Sequence, residues 1–214
     1  MEKIAVVGSA NLDLVVSVNH LPSPGETILG SSFDKIPGGK GANQAVAASK
    51  LGGQVSFIGC IGSDQEGKII RENLENANVD CEFLFSSSKM PTGIAMIGVD
   101  KDGNNSIIVN PGANSDLSHE KIDKASAALE SAKVVLLQLE IPVSSVEAAI
   151  DRAKGITILN PAPSTNLSSG LLEKVDVLIP NQVELAHLSN KKTLYDIDEV
   201  EDAASGLGVE TVIT

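Results

Sequence analysis

The sequence predicts an α/β protein, in which a parallel sheet is covered by helices on both faces and a smaller antiparallel β layer lies beside it. Three observations predict this. From Ser118 onward, helical and strand-like runs alternate strictly, the pattern that builds a parallel sheet buried on both faces. Two stretches, at about residues 14–36 and 93–109, hold β-prone runs with no helix between them, which suits antiparallel pairing. Polar residues recur just past the apolar runs: Asn11 and Asp13, Glu140, Asn160 and Asn181. In open parallel sheets that is the edge where ligands bind, so these side chains are expected to gather along one rim. Taken singly, each also suits a helix cap or a turn.

The elements follow in order. Residues 4–8 are a short apolar run ending in glycine, hence a buried strand, with Asn11 and Asp13 in a polar loop beyond it. Residues 14–19 and 27–36 are β-prone and separated by a Pro-rich connector that a helix does not tolerate. Residues 42–51 predict a small-residue helix and 55–59 a strand. Ser63, with Glu66 three residues on, predicts a capping box, and Ile69, Ile70 and Leu74 form the inner face of the helix it opens. Residues 93–99 and 106–109 flank a Lys-Asp-Gly-Asn turn, a hairpin signal. Helical segments at 118–131, 144–154, around Leu171 and at 198–207 then alternate with strands at 134–139, 157–159, 177–179 and 211–213. With no repeat or linker, residues 1–214 read as one domain.

Composition narrows the function. A chain of 214 residues with 42% hydrophobic and 21% charged content can bury one sizeable core. A formal net charge of −12 argues against nucleic acid or an anionic membrane as partner, since either needs a basic face. The absence of Trp and the single Tyr remove the platforms on which single-stranded nucleic acid stacks. Cys60 and Cys81 have no metal-type spacing and read as buried thiols in a reducing compartment. No signal-peptide layout opens the chain and no apolar run has membrane-spanning length, so a cytoplasmic location is expected.

The richest chemistry lies in the stretch Gly-Gly-Lys-Gly-Ala-Asn at residues 38–43, ahead of an alanine-rich helix. Unpaired N–H groups at a helix start favour an anionic or strongly polar guest, and glycine lets backbone approach it closely. Lys40 adds a charge and Asn43 an amide that both donates and accepts, which suits a polyol as well as a phosphate. A nicotinamide-dependent dehydrogenase fits poorly, because the first strand leads into Gly-Ser-Ala-Asn-Leu-Asp and not G-x-G-x-x-G.

GGKGANQAVAASKLG at residues 38–52 and SANLD at 9–13, with PGET at 24–27, QLE at 138–140, LNPAP at 159–163 and PNQVE at 180–184, resemble in sequence and order the ribokinase-like, or PfkB, carbohydrate kinases. The resemblance implies a doubly wound α/β domain of Rossmann type whose small β-sheet forms a lid over the sugar. It implies ATP-dependent phosphorylation of D-ribose to ribose 5-phosphate, with Mg2+ and a monovalent cation, K+, as cofactors and a homodimer formed through the lids. By resemblance, Asn11, Leu12, Asp13, Gly39, Lys40, Gly41, Ala42, Asn43 and Glu140 hold the sugar. Asn181 belongs to the element that arranges ATP phosphates, and Glu184 holds magnesium through water. The family's anion hole, general-base Asp, adenine pocket and K+ site follow later in its pattern than these 214 residues reach. The chain is accordingly expected to be the N-terminal portion of such a kinase and inactive alone. A kinase of another sugar or a nucleoside, and a noncatalytic sugar-binding fragment, remain as alternatives.

Overall fold

The computed structural model describes residues 2–214. The chain begins with β1 (Lys3–Val7), β2 (Asn11–Ser17) and β3 (Ser32–Gly38), then α1 (Lys40–Lys50), β4 (Gln54–Gly62), α2 (Gln65–Asn76) and β5 (Leu84–Ser87). A hairpin of β6 (Gly93–Val99) and β7 (Asn105–Asn110) leads into a 3₁₀ turn at Gly112–Asp116. There follow α3 (His119–Lys124), α4 (Ser126–Ser131), β8 (Val134–Gln138), α5 (Val143–Arg152), β9 (Ile156–Asn160) and α6 (Ser169–Leu172). The last elements are β10 (Val177–Leu178), α7 (Gln182–Leu188), α8 (Ile197–Ser205) and β11 (Thr211–Val212).

Seven strands form one sheet in the order β11-β10-β9-β8-β1-β4-β5, and every pair is parallel. Strand alternation divides the core between its faces. On one side Ala5 and Val7 pack with Val135, Leu137, Ile122, Leu129 and Val146. On the other, Val6 packs with Phe57, Ala42, Ala45, Ile70 and Leu74. Both layers are built of buried apolar side chains, which is why β1 reads as an unbroken apolar run.

The smaller sheet has the order β3-β2-β6-β7. Both expected antiparallel pairs are present, β2 with β3 and β6 with β7, and a parallel pair, β2 with β6, joins them. The parallel step arises because α1, β4, α2 and β5 intervene before the chain returns to this sheet. Asn11 and Asp13 are not in a loop. Both lie in β2, paired across to Gly38 and Ile36.

Other boundaries differ for local reasons. Asp64, rather than Ser63, caps α2, accepting from Gly67 N at 2.9 Å, so the Ser63–Glu66 box does not form. The expected helix at 118–131 breaks at Ala125 into α3 and α4. Residues 27–31 lie outside β3. No helix is long and apolar enough to cross a membrane among the described residues.

The start of α1 packs directly on the turn after β1. A Cβ on Gly41 would lie 2.7 Å from the main-chain carbon and Cα of Gly8 and from Ser9 N, backbone atoms that cannot swing aside. Gly41→Ala is therefore expected to destabilise the fold by about 1–3 kcal/mol, as overpacking does. Gly170→Ala, where a Cβ meets nothing within 4 Å, should be close to neutral. Urea unfolding of the two variants checks this, and equal midpoints would refute it.

Candidate functional site

From β1 the chain adds β4 and then β5 on one side of the sheet, while β8, β9, β10 and β11 extend the other. The strand order thus reverses at β1, and the crevice beyond the carboxyl ends of β1 and β8 is the topological switch point where such sheets bind ligands. The residues after those two strands meet there. Ser9 Oγ donates to Glu140 Oε2 at 2.5 Å, across 131 positions of sequence. Lys40, the first residue of α1, donates twice to the same carboxylate, through Nζ to Oε1 at 2.8 Å and through its main-chain N–H to Oε2 at 3.1 Å. Gly39, the residue ahead of α1, reaches this position with φ of 90°.

A cavity of about 500 Å³ opens at this point. Its polar lining is Asn11, Lys40, Asn114, Ser115 and Glu140, and Val109, Leu139 and Ile141 with three prolines make the rest. Asp13 pairs with Ala95, which pairs with Val109, and cross-strand partners share a face. Asp13 therefore stands on the cavity side of the smaller sheet, and β7 contributes Val109 to the cavity wall.

The two carboxylates shift in opposite directions. Burial pushes Glu140 upward, but the hydrogen bonds from Lys40 and Ser9 outweigh it and hold its pKa below the ordinary glutamate value. Burial, reinforced by the charge of Glu140, raises Asp13 above the ordinary aspartate value, and Lys40 offsets this only in part. One carboxylate is satisfied by the protein and the other is not.

Of the residues expected to hold a sugar, Asn11, Lys40 and Glu140 line the cavity, with Asp13 on its facing strand. Asn43 lies one turn beyond Lys40 and is exposed. Leu12 and Ala42 send their side chains into the core, and Gly41 lies against Gly8. Asn160 spends its amide on Ile179 O at 3.0 Å, bridging the ends of β9 and β10. Asn181 and Glu184 form the capping box of α7. Asn181 Oδ1 accepts from Glu184 N, and Glu184 Oε2 accepts from Asn181 N, both at 2.8 Å. Asn181 Nδ2 also donates to Glu184 Oε1 at 2.9 Å. Neither residue lines this cavity. Among the described residues no group of three or more His, Cys, Asp or Glu side chains is placed to hold a metal ion.

Ser9, Asn114 and Ser115 are cavity-building residues that no single sequence signal assigns. Ser9 stands at the head of the Ser-Ala-Asn-Leu-Asp segment, and Asn114 and Ser115 follow the Pro-Gly turn after β7.

Known proteins share this fold. The model of the pfkB family carbohydrate kinases matches residues 1–214. A ribokinase of Haemophilus influenzae is 40% identical over 215 residues, covering 98% of this chain and 70% of its own length. A deoxyribokinase of Salmonella typhi is 38% identical over 208 residues, covering 95% of this chain and 68% of its own length. The structure of Arabidopsis thaliana ribokinase complexed with ribose and ATP superposes with a TM-score of 0.87 at 33% identity, covering 99% of this chain and 70% of that one. A seven-stranded parallel sheet, a small mixed sheet over its switch point and a family match along the whole length make this chain a member of the pfkB family of carbohydrate kinases.

Proposed function

We propose that this chain carries the sugar-binding part of an ATP-dependent ribose kinase, which transfers the γ-phosphoryl group to the 5-hydroxyl of D-ribose. The observation that carries the reading is the convergence of Asn11, Asp13, Lys40 and Glu140 on one cavity at the sheet's switch point. These groups match a neutral polyol. Asp13 offers acceptor oxygens, Asn11 and Lys40 offer donors, and Glu140 keeps lone pairs beyond its bonds to Lys40 and Ser9. A sugar lacking one hydroxyl would leave a polar group in the cavity unpaired, which is how such a site discriminates. ATP supplies the phosphoryl group, and catalysis of its transfer rests on positioning and on neutralising phosphate charge.

Asn181 and Glu184 fit a magnesium ion held through water. Each Glu184 oxygen accepts one hydrogen bond within the capping box, leaving further lone pairs for ordered water, and magnesium keeps its own waters readily. The capping box fixes the carboxylate's direction at the start of α7. Glu140 is already committed to Lys40 and Ser9, which makes it a holder of the site more than a base for the sugar hydroxyl.

The deoxyribokinase relative keeps a second substrate in view. Calorimetric titration with ribose, 2-deoxyribose, other sugars and nucleosides separates the readings, with ribose expected to bind tightest. Asp13→Asn should weaken ribose binding about 10- to 100-fold, the range for losing a charge-assisted hydrogen bond. The pH dependence follows from the raised pKa. Hydroxyl donors favour the ionised form, so ribose should bind more tightly as pH rises through Asp13's folded pKa. In the free fold the sign is opposite. Asp13's contribution to stability is present below the ordinary aspartate value and lost as pH rises through the folded pKa. Asp13→Asn should therefore raise the melting temperature at neutral pH while lowering affinity. Unchanged ribose affinity in that variant would remove the site assignment.

The smaller sheet supports pairing of two copies. Phe33, Met96 and Ile108, on one face, are all more than half exposed, at 57%, 51% and 63%, and β3 and β7 are edge strands. Unpaired edges with apolar flanks favour a second copy as cover. Light scattering should give the mass of a dimer, and Ile108→Lys should halve it. A monomer for the unsubstituted chain would overturn this arrangement.

A further inference from the structure

The geometry points to Asn114 as the positioning residue that decides which end of the Asn11 amide meets the sugar. Asn114 lies in the 3₁₀ turn, is 1% exposed and lines the same cavity as Asn11. Its Oδ1 accepts from the main-chain N–H of Ala10 at 2.9 Å. A main-chain nitrogen can only donate, so this contact settles which end of the Asn114 amide is oxygen. The other end is then the NH₂ group, which donates to Asn11 Oδ1 at 2.7 Å and to Ala10 O at 3.4 Å. With its oxygen occupied by Asn114, Asn11 has its own NH₂ group left for the cavity. One main-chain N–H thus fixes two side-chain amides in series, and the site meets a sugar hydroxyl with a donor.

The surroundings are built for this pair. Ala113 N donates to Pro91 O at 2.7 Å and Gly112 N to Asn110 Oδ1 at 3.1 Å, which pins the turn to the start of β6 and the end of β7. Gly93 leaves the room, because a Cβ there would lie 2.2 Å from Asn11 Oδ1 and 2.5 Å from Asn114 Nδ2. The consequence is specificity. Asp13 and Glu140 present acceptor oxygens to the cavity region, so a fixed donor at Asn11 makes the site's polarity mixed and selective for a hydroxyl able to accept at that point. This functional consequence rests on the ribose reading above, whereas the orientation of the amide does not.

The experiment has one arm without ligand and one with it. In ¹⁵N-labelled chain, the Asn114 side-chain protons should exchange with water more slowly than those of Asn11. Asn114→Asp keeps the Ala10 N–H contact but offers only acceptors, so Asn11 should turn its NH₂ group inward and exchange about tenfold more slowly. Unchanged Asn11 exchange in a variant that keeps the wild-type amide fingerprint would overturn the proposal. So would faster exchange at Asn114 than at Asn11 in the unsubstituted chain, a measurement that needs no variant. In the second arm, Asn114→Asp should weaken ribose binding about tenfold in the wild-type background and have little effect in Asn11→Ala. Equal losses in both backgrounds would overturn the positioning role, since a merely structural defect adds independently. A chain that shows the expected exchange but binds no ribose counts against the ribose reading and leaves the amide orientation standing.

Discussion

The carboxylate of Glu140 is the junction on which the site depends. It takes hydrogen bonds from Ser9, after β1, and from both nitrogens of Lys40, at the head of α1. It adds a side-chain tie to the main-chain contacts that already bring Ser9 and the start of α1 together, Ala42 N donating to Ser9 O at 2.9 Å. Taking a charge part-way out of water costs several kcal/mol, and a single ion pair often fails to recover it. Three converging donors, one of them charged, outweigh the burial of Glu140 itself and hold its pKa below the ordinary glutamate value. The pair therefore contributes less to overall stability than to location. It sets the floor of the cavity, and it places the Lys40 ammonium within the field of Asp13.

The fold was legible because its signals are local. Apolar runs of strand length, helical spacing in Ile70 and Leu74 and a Lys-Asp-Gly-Asn turn each carry their structure within a few residues. What escaped is what local pattern cannot carry. β5 has four residues, half of them serine, and exists because β4 offers it an edge. The break at Ala125 has no Gly or Pro to announce it. Asn11 and Asp13 read as loop because they are polar, yet they open β2, where pairing with Gly38, Ile36, Gly93 and Ala95 overrides their poor strand propensity. The site divides the same way. Motifs pointed to Asn11, Asp13, Lys40 and Glu140, but that Lys40 meets Glu140 across 100 positions is a tertiary fact. Asn114 was invisible, since its role is to orient a neighbour 103 positions away.

The smaller sheet explains why β2 has to serve two structures. Leu12 at its start is fully buried in the core beneath α1 and α2, so the strand is anchored in the main body before it leaves it. Farther along, alternate residues separate. Asp13, with its cross-strand neighbours Ile36 and Ala95, turns to the cavity side, while Leu14 pairs with Met96, which pairs with Ile108. The middle of both faces is thus mostly apolar, with Asn11 and Asp13 the polar residues that β2 brings to the cavity side. A four-stranded sheet of this composition needs cover on each side: the cavity lies on the Asp13 side, while the main body covers Leu12 and Leu14 at the base of the other side and leaves its outer part to the second copy proposed above.

Asp13 and Glu140 then make sense as a contrasted pair. Both face one crevice, and their pKa values are driven apart because one has been given donors and the other has not. A protein selected for stability alone would not keep a half-buried carboxylate whose ionised form is disfavoured by burial and by a neighbouring charge of the same sign. Such a group is tolerated where a guest brings the missing donors. The hydroxyls of a polyol are donors of the right kind, whereas a phosphate at this point would bring a further negative charge against Asp13. The electrostatics therefore favour a neutral polyol over a phosphate beside Asp13, in keeping with the sugar site proposed above.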